Sequence, residues 1–223
     1  MSLDYAVLFT GVPADEEKRI YQYDPLGATM EIGTGTDTTA YAANVFTADN
    51  YEELTDVSFY TPPEPGGTDY TVAIFANFTT PPGDAAPVAW ASGTSALPGY
   101  HTISLPKTVP LVPGEEFSVV MKVTTPPTFN YPITIETPID GYSSKATAGL
   151  GESYVSEDGE TWVDLTTIYP DTNACIKRSR IPPSLSCHVI IRPFRRQWTP
   201  QCLVTPSLWK RAPTRRNSRS TNQ

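Results

Sequence analysis

Cysteine and histidine are scarce in this chain: 223 residues hold three cysteines and two histidines. Only Cys175 falls before residue 178, so no internal disulfide can staple that part, and no C-x-x-C or Cys/His spacing suits zinc. Long apolar runs are also missing, which argues against a membrane-spanning helix and for no membrane insertion. The opening MSLDYAVLFTGVPA has no basic n-region and too short an apolar stretch for a signal peptide. An export signal, for a domain of this type, is expected upstream of Met1. No stretch shows a capped 3.6-residue period, and no repeat of 20 to 50 residues appears.

Acidic residues are absent after Asp171, and this splits the chain. Residues 1–177 carry 24 acidic side chains against six basic ones, a formal charge of −18. Residues 178–223 carry ten basic and no acidic ones, +10, and also lack Gly and Tyr. A domain at −18 repels nucleic acid and anionic lipid, so no nucleic-acid partner is expected.

What is present is proline, glycine and alternation. Tyr70, Val72 and Ile74 share one parity, as do Phe117, Val119, Met121 and Val123. Val57 with Phe59, Ile103 with Leu105, and Tyr131, Ile133 and Ile135 against Thr134 and Glu136 repeat the pattern. Such alternation makes strands with one face buried and one wet. Punctuators such as Pro62-Pro63, Pro81-Pro82-Gly83-Asp84, Pro98-Gly99 and Pro113-Gly114 separate the runs. The expected fold is all-β, an antiparallel sandwich of jelly-roll or lectin-like type. Ser156-Glu157-Asp158-Gly159-Glu160-Thr161-Trp162 reads as a hairpin of shortened Asp-box type, a structural turn with Trp162 packed beneath it.

Chemistry is sparse. A Cys175–His101 dyad would need the two side chains together, and no nucleophile signature surrounds Cys175, which reads as a small hydrophobe in a final strand. Adjacent carboxylates such as Glu52-Glu53 and Glu115-Glu116 point to opposite strand faces and do not converge. Calcium at Asp37, Asp140 or Asp158 is the one metal the loops suggest; no other cofactor is expected. Carbohydrate binding needs flat aromatics beside hydrogen-bonding groups, and the candidates near loops are Trp90, Tyr100, Tyr142 and Tyr154. Asn77-Phe78-Thr79 is a glycosylation sequon, consistent with an exported protein.

The tail from Arg178 has the composition of out-of-frame translation: Arg-, Pro- and Ser-rich with stray Cys and Trp. On that reading the boundary lies at Lys177, and Cys187, His188, Cys202 and the tail arginines carry no weight. The competing reading is a polyanion-binding arm.

Several strings in order, Tyr21-Gln22-Tyr23-Asp24-Pro25-Leu26-Gly27, Ala43-Asn44-Val45-Phe46-Thr47-Ala48, Gly99-Tyr100-His101-Thr102-Ile103, Gly141-Tyr142-Ser143-Ser144-Lys145-Ala146 and Asn173-Ala174-Cys175-Ile176-Lys177, carry a resemblance. Together they resemble the lectin-like domain that follows papain-like cysteine peptidase domains in archaeal, methanogen-type surface proteins. The resemblance implies a residual segment of the preceding domain over 1–19, a lectin-like sandwich over 20–177, and a basic tail, disordered or out of frame, over 178–223. It implies a non-catalytic accessory domain at the cell surface, with an upstream peptidase domain as partner and surface glycan as ligand. The alternatives are a structural spacer or adhesion module, and a fragment of a cysteine hydrolase.

Overall fold

The computed structural model describes residues 19–63, 67–76 and 86–181. The sequon at Asn77, the segment 1–18 and residues 182–223, with Cys187, His188 and Cys202, lie outside the described residues. Among the described residues thirteen strands follow in order: β1 (Arg19–Tyr21), β2 (Met30–Ile32), β3 (Thr39–Thr47), β4 (Glu52–Thr61), β5 (Thr68–Ala76), β6 (Ala89–Ser95), β7 (Gly99–Leu111), β8 (Glu116–Thr124), β9 (Ile133–Glu136), β10 (Ser153–Ser156), β11 (Val163–Asp164), β12 (Asn173–Ala174) and β13 (Ile176–Ile181). A 3₁₀ turn at Leu165–Thr167 follows β11, capped by Asp164, whose side chain accepts from the Thr166 amide.

The strands form a four-stranded sheet, β1-β13-β4-β7, a six-stranded sheet, β11-β10-β3-β8-β5-β6, and a small sheet, β12-β9-β2. The strand pairings among the described residues are antiparallel throughout. The core lies between the two large sheets. Leu54, Val57, Phe59 and Ile176 enter it from one side, and Ala42, Phe46, Val72, Ile74, Phe117, Val119, Met121 and Val123 from the other. Phe59 meets Tyr70 across the gap at 5.0 Å between ring centres. The alternation read in β5, β7 and β8 therefore sets the sandwich faces. In β4 the phase resets: Leu54 and Val57 both point inward because Thr55 is an extra residue in the ladder to β13, and in the ladder to β7 it stands opposite the unpaired stretch 105–108. In β9 the expected wet face is absent. Thr134 and Glu136 are buried like Ile133 and Ile135, and Glu136 Oε2 accepts from the Leu26 amide at 2.5 Å.

The expected boundary at Lys177 is corrected by the structure. β13 runs on to Ile181, pairing Arg178 with Val57 on one side and Tyr21 on the other. Arg178 is fully buried. Its guanidinium lies 3.6 Å from the Tyr21 ring centre and 4.0 Å from that of Phe117, and Nη1 donates to Glu52 Oε1 at 3.1 Å. Arg180 pairs with the other oxygen of the same carboxylate. Glu52 is itself buried, so its charge is offset on both oxygens by residues that composition had assigned to a foreign tail. The compositional change thus falls inside β13, before the point where the fold stops needing the chain.

A second polar network joins the sheets. Asn44 Nδ2 donates to the carbonyls of Ala174 (3.0 Å) and Ile176 (2.9 Å), and its Oδ1 accepts from Ser153 Oγ at 2.7 Å. Ser153 Oγ also lies 2.8 Å from Asn173 Oδ1 and accepts from the Ala174 amide. These bonds satisfy buried groups of β3, β10, β12 and β13.

Candidate functional site

The thiol comes first, because nucleophilic chemistry would need it. Cys175 is 1% exposed, and burial followed by the Asp24 carboxylate pushes its thiol far above the usual range. A thiolate is the reactive form, so burial and this shift both disfavour the sulfur as a nucleophile. His101 stands elsewhere in the bonding pattern: its Nε2 lies 3.0 Å from Thr61 Oγ1 and 3.0 Å from Ser95 Oγ, at the β6–β7 turn. The dyad reading is corrected on both counts: this chain does not bring Cys175 and His101 together as a catalytic pair. Around the thiol, Lys177 Nζ donates to Asp24 Oδ2 (2.6 Å), to the Asp24 carbonyl (2.7 Å) and to Gln22 Oε1 (2.9 Å). This is a buried brace between the 22–27 loop and β13.

The four aromatic candidates separate. Trp90 and Tyr154 share the outer face of the six-stranded sheet, in the lateral row Trp90–Ala73–Val120–Ala43–Tyr154. Four strand spacings put them about 19 Å apart. Trp90 is 58% exposed, on the outer strand β6, with Ser92 and Thr94 following on the same side and Asp69 and Thr71 beside them on β5. Thr94 Oγ1 donates to Asp69 Oδ1 at 2.5 Å. Tyr154 is half-buried. Tyr100 stands on the other sheet, tilted against Tyr60 at 5.0 Å. Tyr142, 73% exposed, projects from the turn that follows Ile139.

The calcium candidates are likewise apart. Asp37 lies in an exposed turn, accepting from Thr34 and Thr36 hydroxyls. Asp140 is exposed. Asp158 Oδ1 accepts from the amides of Thr161 (2.7 Å) and Glu160 (2.8 Å) and from Ser156 Oγ (2.9 Å), which holds its carboxyl down at about 2. The hairpin's own donors thus occupy that oxygen, as the shortened Asp-box implies. Trp162 packs edge-on to Tyr41 at 6.5 Å. Among the described residues, no three or more His, Cys, Asp or Glu side chains gather as a cation site would require.

One concavity was not foreseen. A cleft of about 490 Å³ opens at one end of the sandwich, between the small sheet and the β10–β11 hairpin. Its floor and walls are Ile32, Ala40, Ile133, Val155, Val163 and Ile168, with Tyr41 and Tyr169. Glu157, Asp158, Ser156 and Thr161 stand on its rim. Four stretches distant in sequence build it, so no local pattern announces it. Tyr169, on its lip, is 42% exposed, and Asp171 two residues on adopts a φ of 55°.

The chain was compared with known proteins. Among curated proteins no match was found. Among solved structures, a variant of the clostridial cysteine protease Cwp84 after propeptide cleavage is similar at 26% identity and a TM-score of 0.64, over 76% of this chain and 41% of that one. A second structure, of the cysteine protease and lectin-like domains of Cwp84, a surface layer associated protein of Clostridium difficile, matches at 26% identity and a TM-score of 0.60, over 76% and 37%. The chain therefore spans about two-fifths of the proteins it resembles. Those relatives are clostridial rather than archaeal. The lectin-like domain family matches residues 20–178, a span that includes Arg178, and with a sandwich to carry that match this chain belongs to the lectin-like domain family.

Proposed function

We propose that this chain is a non-catalytic accessory module of a surface protein that also carries a papain-type cysteine peptidase domain, placed upstream, and that it holds surface carbohydrate at Trp90. The single observation that carries the sugar half is the indole: a large apolar ring 58% exposed on the outer strand, with Ser92, Thr94 and Thr71 to one side of it. An aromatic plane stacks on the C–H face of a sugar ring, while Ser92, Thr94, Thr71 and Asp69 supply hydrogen-bonding groups alongside. The accessory half is supported by the burial of Cys175 and by relatives that combine a protease with a lectin-like domain. A surface setting is supported by the same relatives and by the acidic charge of residues 1–177.

The test is calorimetry with fragments of the host's surface polysaccharide. Wild type is expected to bind with a Kd in the micromolar to millimolar range, and Trp90→Ala to lose at least about tenfold, the scale of one stacking contact. A folded wild type that takes up no sugar at millimolar concentration would leave only the packing role beside the peptidase.

A further inference from the structure

The end cleft has an aliphatic floor: Ile32, Ala40, Ile133, Val155 and Val163 offer apolar surface on which apolar side chains would be buried. The rim carries Glu157 and Asp158 with no basic residue in the lining, which disfavours a lipid phosphate or a fatty carboxylate. Two strands border the cleft, and each is the outermost of its sheet: β2 through Ile32 and β11 through Val163. An outermost strand keeps one row of main-chain N–H and C=O groups that no neighbouring strand uses. Aliphatic floor, acidic rim and bordering outermost strands are features that an extended peptide can use together.

We propose that this cleft binds an extended polypeptide segment with aliphatic side chains flanked by lysine or arginine, by adding a strand to the β2 or β11 edge. The main chain of the segment bonds to the edge, alternate side chains drop onto the aliphatic floor, and the flanking cations face Glu157 and Asp158. Ile168 and Tyr169, 49% and 42% exposed, form the outer lip that the segment would cover. The inference is independent of the carbohydrate reading, which concerns Trp90 on a different face.

The experiment uses the full chain and a capped, labelled peptide KVIVK, read by fluorescence anisotropy. The expected result is a Kd below about 1 mM, weakened about tenfold or more in three separate arms: the peptide EVIVE, a KVIVK with alternate amides N-methylated, and the variant Ile168→Asp. Because Ile168 is exposed, that variant keeps its fold, checked by circular dichroism. Trp90→Ala is expected to bind the peptide as wild type does. Absence of binding to folded protein, equal binding of the N-methylated peptide, equal binding by Ile168→Asp, or displacement of the peptide by hexylamine at equal concentration would each overturn the proposal.

Discussion

Replacing Glu52 by glutamine probes the claim that the fold needs β13 beyond Lys177. Glu52 is buried, and its two oxygens serve Arg178, Arg180 and the Tyr21 hydroxyl at 3.2 Å. Burial lowers the Arg178 pKa only to about 10, so the guanidinium stays charged at neutral pH and needs its counter-charge. Glutamine keeps the shape and removes that charge. Breaking a buried pair this way costs about 3–5 kcal/mol. With a urea m-value of about 2 kcal/mol/M, the unfolding midpoint should fall by roughly 2 M. Glu53→Gln, the next residue on β4 and only half-buried, is the control and should stay within about 0.5 kcal/mol. A stop codon after Ile181 should leave the midpoint unchanged, whereas one after Lys177 removes Arg178 and the β1 pairing and should leave no cooperative transition. A cost under about 1 kcal/mol for Glu52→Gln, with the two truncations equally stable, would refute the reasoning and return the boundary to Lys177.

Other consequences follow from the same geometry. Burial lowers the His101 pKa, so the unfolded chain takes up this proton first. The histidine's contribution is whole above the unfolded value of about 6.5 and is lost as pH falls through the lower folded pKa. The melting temperature of wild type should therefore drop further between pH 7.5 and 5.0 than that of His101→Gln; parallel curves would contradict this. The carboxyls of Asp24 and Glu136 act oppositely, since burial raises them and protonation relieves its cost as pH falls, and both backgrounds share that term. Cys175, in a full chain carrying Cys187→Ser and Cys202→Ser, should react with a thiol reagent only after unfolding; labelling at the native rate of an exposed thiol would show that the Asp24–Lys177 brace opens.

How much was legible beforehand depended on range. The faces of β5 and β8 follow from Tyr70, Val72 and Ile74 and from Phe117 through Val123, because a strand's period acts between residues two apart. The Asp158 turn is equally local, closed by bonds within five residues. Arg178 was misread because its partner lies 126 positions upstream, and ten basic residues after Lys177 looked like one compositional block. β9 was read with a wet face because its alternation is genuine, but the 22–27 loop supplies a main-chain donor that lets Glu136 be buried. Trp90 could be picked from sequence, whereas the row that puts Tyr154 on its face needs four pairings between strands far apart in the chain.

The most direct test of the accessory-module reading is nuclear magnetic resonance of the isotopically labelled chain titrated with surface-polysaccharide fragments. The account predicts saturable shifts of the Trp90 indole with Thr71, Ser92 and Thr94, while Ile168 and Tyr169 in the end cleft stay still. Shifts confined to the cleft, or none at millimolar sugar on a folded chain, would contradict it.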